Sequence, residues 1–215
     1  MYEVVLFDLD GTLTDPGVGI TGSVAYALEK YGIRIKDRTE LYKFIGPPLH
    51  ESFEKFCGFS PEQAKEAVAY YREYYSDRGI FENAVYNGME ELLAGLKDAG
   101  RTLLVATSKP ELFARMILEH FGLTRYFNYI AGANMDGSRT RKDEVILYAL
   151  MAGNVTDMSK AVMVGDREHD ILGAKKVGID SAGVLYGYGS RKELMEAGAD
   201  YILEKPENIA QVVLG

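Results

Sequence analysis

The chain has 215 residues, of which 47% are hydrophobic and 26% charged. That balance suits a soluble globular protein with one large core, or a core carrying an insertion. A net charge of −8 leaves no basic field to attract nucleic acid or an anionic membrane, so neither is an expected partner. An anionic ligand would have to be met by a metal ion or a few placed side chains.

The N-terminal run MYEVVLFDLD lacks the basic region of a signal peptide and reads as a buried strand. No apolar stretch approaches the roughly 18 residues of a membrane span. Cys57 is the only cysteine, which rules out an intramolecular disulfide and fits a reducing, cytoplasmic setting.

Along the chain, strands are expected at Glu3–Asp8, Thr102–Thr107, Tyr129–Gly132, Ala161–Gly165 and Ser181–Leu185. The first, second and fourth are nearly continuous apolar runs, as in parallel strands covered on both faces. Helical patterns fall between them at Gly88–Ala99, Pro110–Phe121, Arg141–Met151 and Asp170–Val177. Pro110 belongs in a first turn, and Gly100, Gly122 and Gly178 lie just past helix ends. This alternation predicts a doubly wound α/β fold with a parallel sheet, whose ligands bind at the carboxyl ends of the strands.

One block breaks the alternation. From Asp15 to Phe81 the pattern is helical only, with segments Thr21–Tyr31, Leu41–Phe44, Leu49–Cys57 and Pro61–Ser76. The expected organisation is therefore a core of residues 1–14 and 82–215 and an inserted helical domain of residues 15–81. Its hinges would lie near Asp15-Pro16-Gly17 and Arg78–Asn83. The aromatic run YYREYYSDRGIF is expected to pack within that helical block.

Chemistry-bearing residues gather at the predicted strand ends. Asp8 and Asp10 close the first strand, Thr107-Ser108 and then Lys109-Pro110 close the second, and GDREHD closes the fourth with Asp166 and Asp170. Lys142 opens a helix after the polar run Gly137–Arg141. Taken singly these are ordinary: Asp166 and Asp170, four apart, also suit a helix start, and Arg139 or Arg141 could serve in place of Lys142. Gly17, Gly19 and Gly22 match G-x-G-x-x-G. They do not directly follow the strand, however, and a helical insert follows where a βαβ unit should continue. They read as the first hinge and the start of the inserted domain.

DLDGT, the strand ending in Thr107, Lys142 and GDREHD occur in the order and rough spacing of the haloacid dehalogenase (HAD) superfamily of phosphotransferases, which this chain resembles through its whole core. The segments TSKP, IGPPLHESF and KDEVILYAL are most similar to its phosphoglycolate phosphatase group. The resemblance implies a phosphomonoester hydrolase acting on a small-molecule phosphate. Asp8 would be the nucleophile that forms an aspartyl-phosphate, and Asp10 the general acid and base. Lys142 would bridge the nucleophile and the transferring phosphoryl group.

Thr107, Ser108 and Gly11 would receive the phosphate. Mg²⁺ would be held by Asp8, the Asp10 backbone carbonyl and Asp166, with Asp170 in support. Four carboxylates against Mg²⁺ and Lys142 leave one surplus negative charge, which a proton on Asp10 would remove. Lys43 and His50 are the candidate substrate contacts in the helical block. A dehalogenase lacks the acid two residues after the nucleophile, so Asp10 argues for phosphoryl chemistry. A 5′-nucleotidase and a β-phosphoglucomutase-type mutase remain as alternatives, with a non-catalytic scaffold behind them. Oligomeric state is left open.

Overall fold

A computed structural model describes residues 1–215. The chain divides into two compact units, one of Met1–Asp15 with Val85–Gly215 and the other of Pro16–Ala84. The first unit is built on a six-stranded parallel sheet in the order β5-β4-β1-β6-β7-β8. Its strands are β1 (Val4–Phe7), β4 (Thr102–Pro110), β5 (Tyr129–Ala133), β6 (Ala161–Gly165), β7 (Asp180–Val184) and β8 (Tyr201–Leu203). The remaining two, β2 (Thr14–Asp15) and β3 (Ala84–Val85), make a small separate sheet.

Val5, Leu6 and Phe7 are fully buried and Val4 nearly so. A central parallel strand has helices on both faces and no solvent side, so every side chain in it can be apolar. Each such burial contributes about 1.5–3 kcal/mol. Strand order reverses at β1, which pairs with β4 on one side and β6 on the other. The carboxyl ends of these three strands therefore frame the crevice where doubly wound sheets bind ligands.

Helices α4 (Met89–Asp98), α5 (Glu111–His120), α6 (Lys142–Ala152), α7 (Glu168–Val177), α8 (Arg191–Ala197) and α9 (Glu207–Leu214) complete this unit. The cluster joining Leu6, Leu104, Ala131, Val145, Ile146, Ala149 and Met163 packs α6 onto β1, β4, β5 and β6.

The second unit holds α1 (Gly17–Glu29), a 3-10 turn (Arg38–Phe44), α2 (Leu49–Cys57), α3 (Pro61–Tyr74) and a π turn (Tyr75–Gly79). Ser60 and Gln63 form a capping box at the start of α3. The core here is aromatic. Phe53 stacks on Phe59, Phe44 meets both Phe53 and Phe56, and Tyr71 stacks on Tyr75.

Gly17, Gly19 and Gly22, read as the first hinge and the start of the inserted domain, all fall in α1, which Gly17 opens one residue into the second unit. A Cβ on Gly19 would overlap the Gly79 carbonyl oxygen, so this position is glycine to let α1 approach the π turn closely. Its backbone N–H donates to Glu82 O at 3.0 Å.

Candidate active site

Asp8 follows β1 directly, and its backbone N–H still donates across to Val164 O of β6 (2.9 Å). Asp166 follows β6, and Asp170 sits in the first turn of α7. Carboxylate oxygens of Asp8, Asp166 and Asp170 all lie within 4.8 Å of one another, and the residues are 4%, 0% and 1% exposed. Asp170 takes the expected place at a helix start and also faces Lys142. Its Oδ2 accepts from Arg167 N (3.1 Å) while its Oδ1 lies 2.7 Å from Lys142 Nζ.

Lys142 is the first residue of α6. Its ammonium donates to Asp8 Oδ1 (2.8 Å) and to Ala106 O (3.1 Å). Its stem runs over Gly173 of α7, where a Cβ would come within 2.9 Å of Lys142 Cγ. Burial alone would lower this lysine's pKa, but Asp170 and Asp8 outweigh burial and raise it above the ordinary value. The neighbouring arginines are used elsewhere: Arg139 stacks over Tyr148 at 3.7 Å and Arg141 pairs with Asp143.

Burial, then Asp170 and Asp8, push the Asp166 carboxyl well above the usual carboxylate range. Tyr188 N donates to its Oδ2 (2.7 Å), while Asp166 Oδ1 is buried with no hydrogen-bond partner. Asp170 is also pushed up by burial, with Lys142 opposing. Buried like charges and an orphaned oxygen are costly unless a cation completes them. The donors are hard oxygens, so the trio suits a divalent cation of the Mg²⁺ or Ca²⁺ type.

Asp10 lies outside this trio, and its carboxylate pairs with Lys109, Nζ to Oδ2 at 2.8 Å. Burial pushes the Asp10 carboxyl up and Lys109 pulls it back. Thr107 is buried in β4, next to where its register against β5 shifts, and its Oγ1 accepts from Lys109 N (3.3 Å). Ser108 is half-buried beside it.

Gly11 has another task than the phosphate contact expected of it. Its N–H is spent on Thr14 O (2.8 Å). At φ +83° and with no room for a Cβ against Asp166 Oδ2, it lets the turn after Asp10 press against the acids. Lys43 and His50 belong to the second unit and have partners there. Lys43 Nζ lies 5.0 Å above the Phe56 ring, and His50 Nε2 meets Pro61 O (3.1 Å) with Nδ1 3.6 Å from Glu54.

Two features of this site have no counterpart in the sequence reading. Lys109, which the sequence places at the end of the second strand without a role, is a second buried cation, its side chain only 6% exposed. The other is the loop Tyr186–Ser190 (YGYGS). In it Gly187 and Gly189 pack against Asp166 so tightly that a Cβ on either would overlap it or its backbone. Tyr186 donates to Thr12 O (3.1 Å) and Tyr188 to Asp15. Alternating glycine and tyrosine after a strand was the available signal, since glycine so placed marks close backbone approach.

Residues 5–184 match the family model described as haloacid dehalogenase-like hydrolase. A 5′-nucleotidase of Pseudomonas aeruginosa is 48% identical over 90% of this chain and 87% of its own. The tyrosine-protein kinase PtkA of Mycobacterium tuberculosis is 45% identical over 87% of this chain, which spans 63% of that protein. Among solved structures, a "predicted phosphatase" from Clostridium acetobutylicum superposes with a TM-score of 0.96 at 48% identity, covering 100% of this chain and 99% of that one. The chain thus belongs to the haloacid dehalogenase-like hydrolases, and within them it is a phosphatase.

Proposed function

We propose that the chain is a Mg²⁺-dependent phosphomonoesterase that works through a phosphoryl group carried on Asp8, and that its substrate is a nucleoside 5′-monophosphate. The observation that carries the mechanism is the setting of Asp8: one carboxylate oxygen held by Lys142 and two further buried acids within reach.

Asp8 and Asp166, supported by Asp170 and joined by the Asp10 carbonyl, would hold the cation. When bound, Mg²⁺ neutralises the phosphate charge that would otherwise repel a carboxylate nucleophile. Lys142 fixes Asp8 through Oδ1 and leaves the other oxygen for in-line attack on phosphorus. Thr107 and Ser108, in the irregular last part of β4, receive the non-bridging oxygens. Asp10 protonates the leaving oxygen and then deprotonates the water that releases phosphate.

Asp166→Asn tests the cation site. The amide keeps an acceptor for Tyr188 N but removes a charge from a desolvated acidic cluster. The metal-free variant is therefore expected to melt a few degrees above metal-free wild type at neutral pH. The folded Asp166 carboxyl is held above its unfolded value near ~3.9, so the stability that its protonated form contributes is fully present below that value and is lost as pH rises through the folded one. The gap should accordingly close at acid pH. Wild type should gain about 2.7 kcal/mol from Mg²⁺ at a hundredfold excess over Kd, and the variant little. A variant that gains as much would remove Asp166 from the cation site.

On substrate, the resemblance in TSKP and the helical block favoured phosphoglycolate. The 48% identity to a 5′-nucleotidase over 90% of the chain supports the nucleotide more strongly. Steady-state rates over nucleoside 5′-monophosphates, phosphoglycolate and hexose phosphates decide it. The best nucleotide is expected to lead in kcat/KM by at least about tenfold, or ~1.4 kcal/mol of transition-state binding. A lead for phosphoglycolate would return the substrate to the two-carbon acid. A hexose phosphate isomerised without phosphate release would replace hydrolysis by mutase chemistry.

A further inference from the structure

Lys109 has no part in the mechanism above, yet it is placed as closely on Asp10 as Lys142 is on Asp8. Its Nζ lies 2.8 Å from Asp10 Oδ2, and the two side chains are only 6% and 10% exposed. The other oxygen, Asp10 Oδ1, is buried without a hydrogen-bond partner. A carboxylate free to turn about its terminal bond presents either oxygen. A buried ammonium on one of them fixes the plane, because swinging away would strand two charges out of water. Lys109 is itself held from behind, its backbone N–H donating to Thr107 Oγ1 in the stretch of β4 where the register against β5 shifts.

We propose that Lys109 is a positioning residue that divides the labour of the two Asp10 oxygens, anchoring Oδ2 and leaving Oδ1 to exchange the proton. As the bond between Asp8 and phosphorus forms and the bond to the leaving oxygen breaks, Oδ1–H gives its proton to that oxygen. As water attacks phosphorus and the Asp8–phosphorus bond breaks, Oδ1 takes a proton from the water. One proton is lent and one returned, and Oδ2 stays on Lys109 throughout. The inference rests on the acid–base role proposed for Asp10.

The test compares Lys109→Met, Lys109→Arg, Asp10→Asn and the Lys109→Met/Asp10→Asn double variant. Each is assayed with Mg²⁺ on propyl phosphate, whose leaving group needs a proton, and on 4-nitrophenyl phosphate, whose leaving group does not. The alkyl-to-aryl rate ratio is the readout, because it is independent of the fraction of each preparation that is folded.

Lys109→Met is expected to lower kcat on propyl phosphate about 100-fold, within the range of general-acid effects. KM should stay within about threefold, and the loss on the aryl ester should stay below about tenfold. Lys109→Arg should recover most of the ratio. The double variant should lose no more on propyl phosphate than Asp10→Asn alone, since a residue acting through Asp10 has nothing to add once Asp10 is gone.

An unchanged ratio in Lys109→Met, a rise in KM with kcat held, or multiplied losses in the double variant would each overturn the proposal. If Asp10→Asn itself fails to separate the two esters, the acid role of Asp10 falls and this inference with it. If Asp10→Asn separates them and Lys109→Met does not, only the inference about Lys109 falls.

Discussion

Asp8→Asn is expected to lower kcat by at least about 10⁴-fold while leaving the protein folded, the scale seen when a covalent nucleophile is removed. The amide oxygen can still accept from Lys142 Nζ, and that ammonium keeps its contacts with Asp170 and Ala106 O. The variant also relieves one negative charge beside Asp166 and Asp170. Its melting temperature should therefore stay within a few degrees of wild type, so that lost turnover cannot be ascribed to unfolding.

The amide lacks the free anionic oxygen that attacks phosphorus. Rapid quenching of wild type during turnover should trap phosphate on the chain in a hydroxylamine-labile acyl linkage, and the variant should trap none. Turnover within about tenfold of wild type, or equal trapping in both, would move the nucleophile elsewhere.

Much of this site was legible because it hangs on the three most strongly patterned strands. β1, β4 and β6 are apolar almost without interruption, and each ends at a polar side chain that has no place in a core. The acids and Thr107 could thus be assigned to one sheet edge before any geometry was known. Lys142 was reached through family spacing, since an isolated lysine at a helix start carries no chemical signature of its own. The competing Arg139 and Arg141 are excluded by geometry alone, one stacked on Tyr148 and the other paired with Asp143.

Other parts were illegible for identifiable reasons. β8 is three residues long at the sheet edge, with only Leu203 buried, too short for any periodicity. Helices α8 and α9 have seven and eight residues, less than the pattern length that separates a helix from a loop. Lys109 stands among the strand-end residues but is given no role in the sequence, because β4 is readable only as far as Thr107. The strand in fact continues irregularly through Pro110, and such irregularities re-aim side chains beside active sites. Of the glycines in α1, Gly19 has a packing reason that the sequence does not display: its close approach to the Gly79 carbonyl leaves no room for a Cβ.

Lys142→Met should produce the largest combined loss of stability and rate. Methionine keeps an unbranched stem over Gly173, so packing is nearly preserved and the change is electrostatic. Removing the ammonium leaves Asp8 and Asp170 as buried carboxylates without their counter-charge and takes the donor from Ala106 O. Breaking one side of a buried ionic network costs about 3–5 kcal/mol, which for a chain of this size lowers Tm by about 6–20 °C.

The lysine's folded pKa is raised above its unfolded value near ~10.4. Its contribution is therefore fully present below that value and is lost only as pH rises through the folded one. The deficit should be constant across neutral pH, in contrast to the pH-dependent gap of Asp166→Asn. Activity should fall at least about 10²-fold, the scale of losing one preorganised charge at a transition state. Added Mg²⁺ should recover part of the stability, because it too neutralises the acids, but not the rate, because it cannot hold Asp8 Oδ1 from the Lys142 side. A variant that melts with wild type would mean that the four charged side chains are solvated rather than mutually compensated, and recovery of rate by Mg²⁺ would reduce Lys142 to a structural counter-ion.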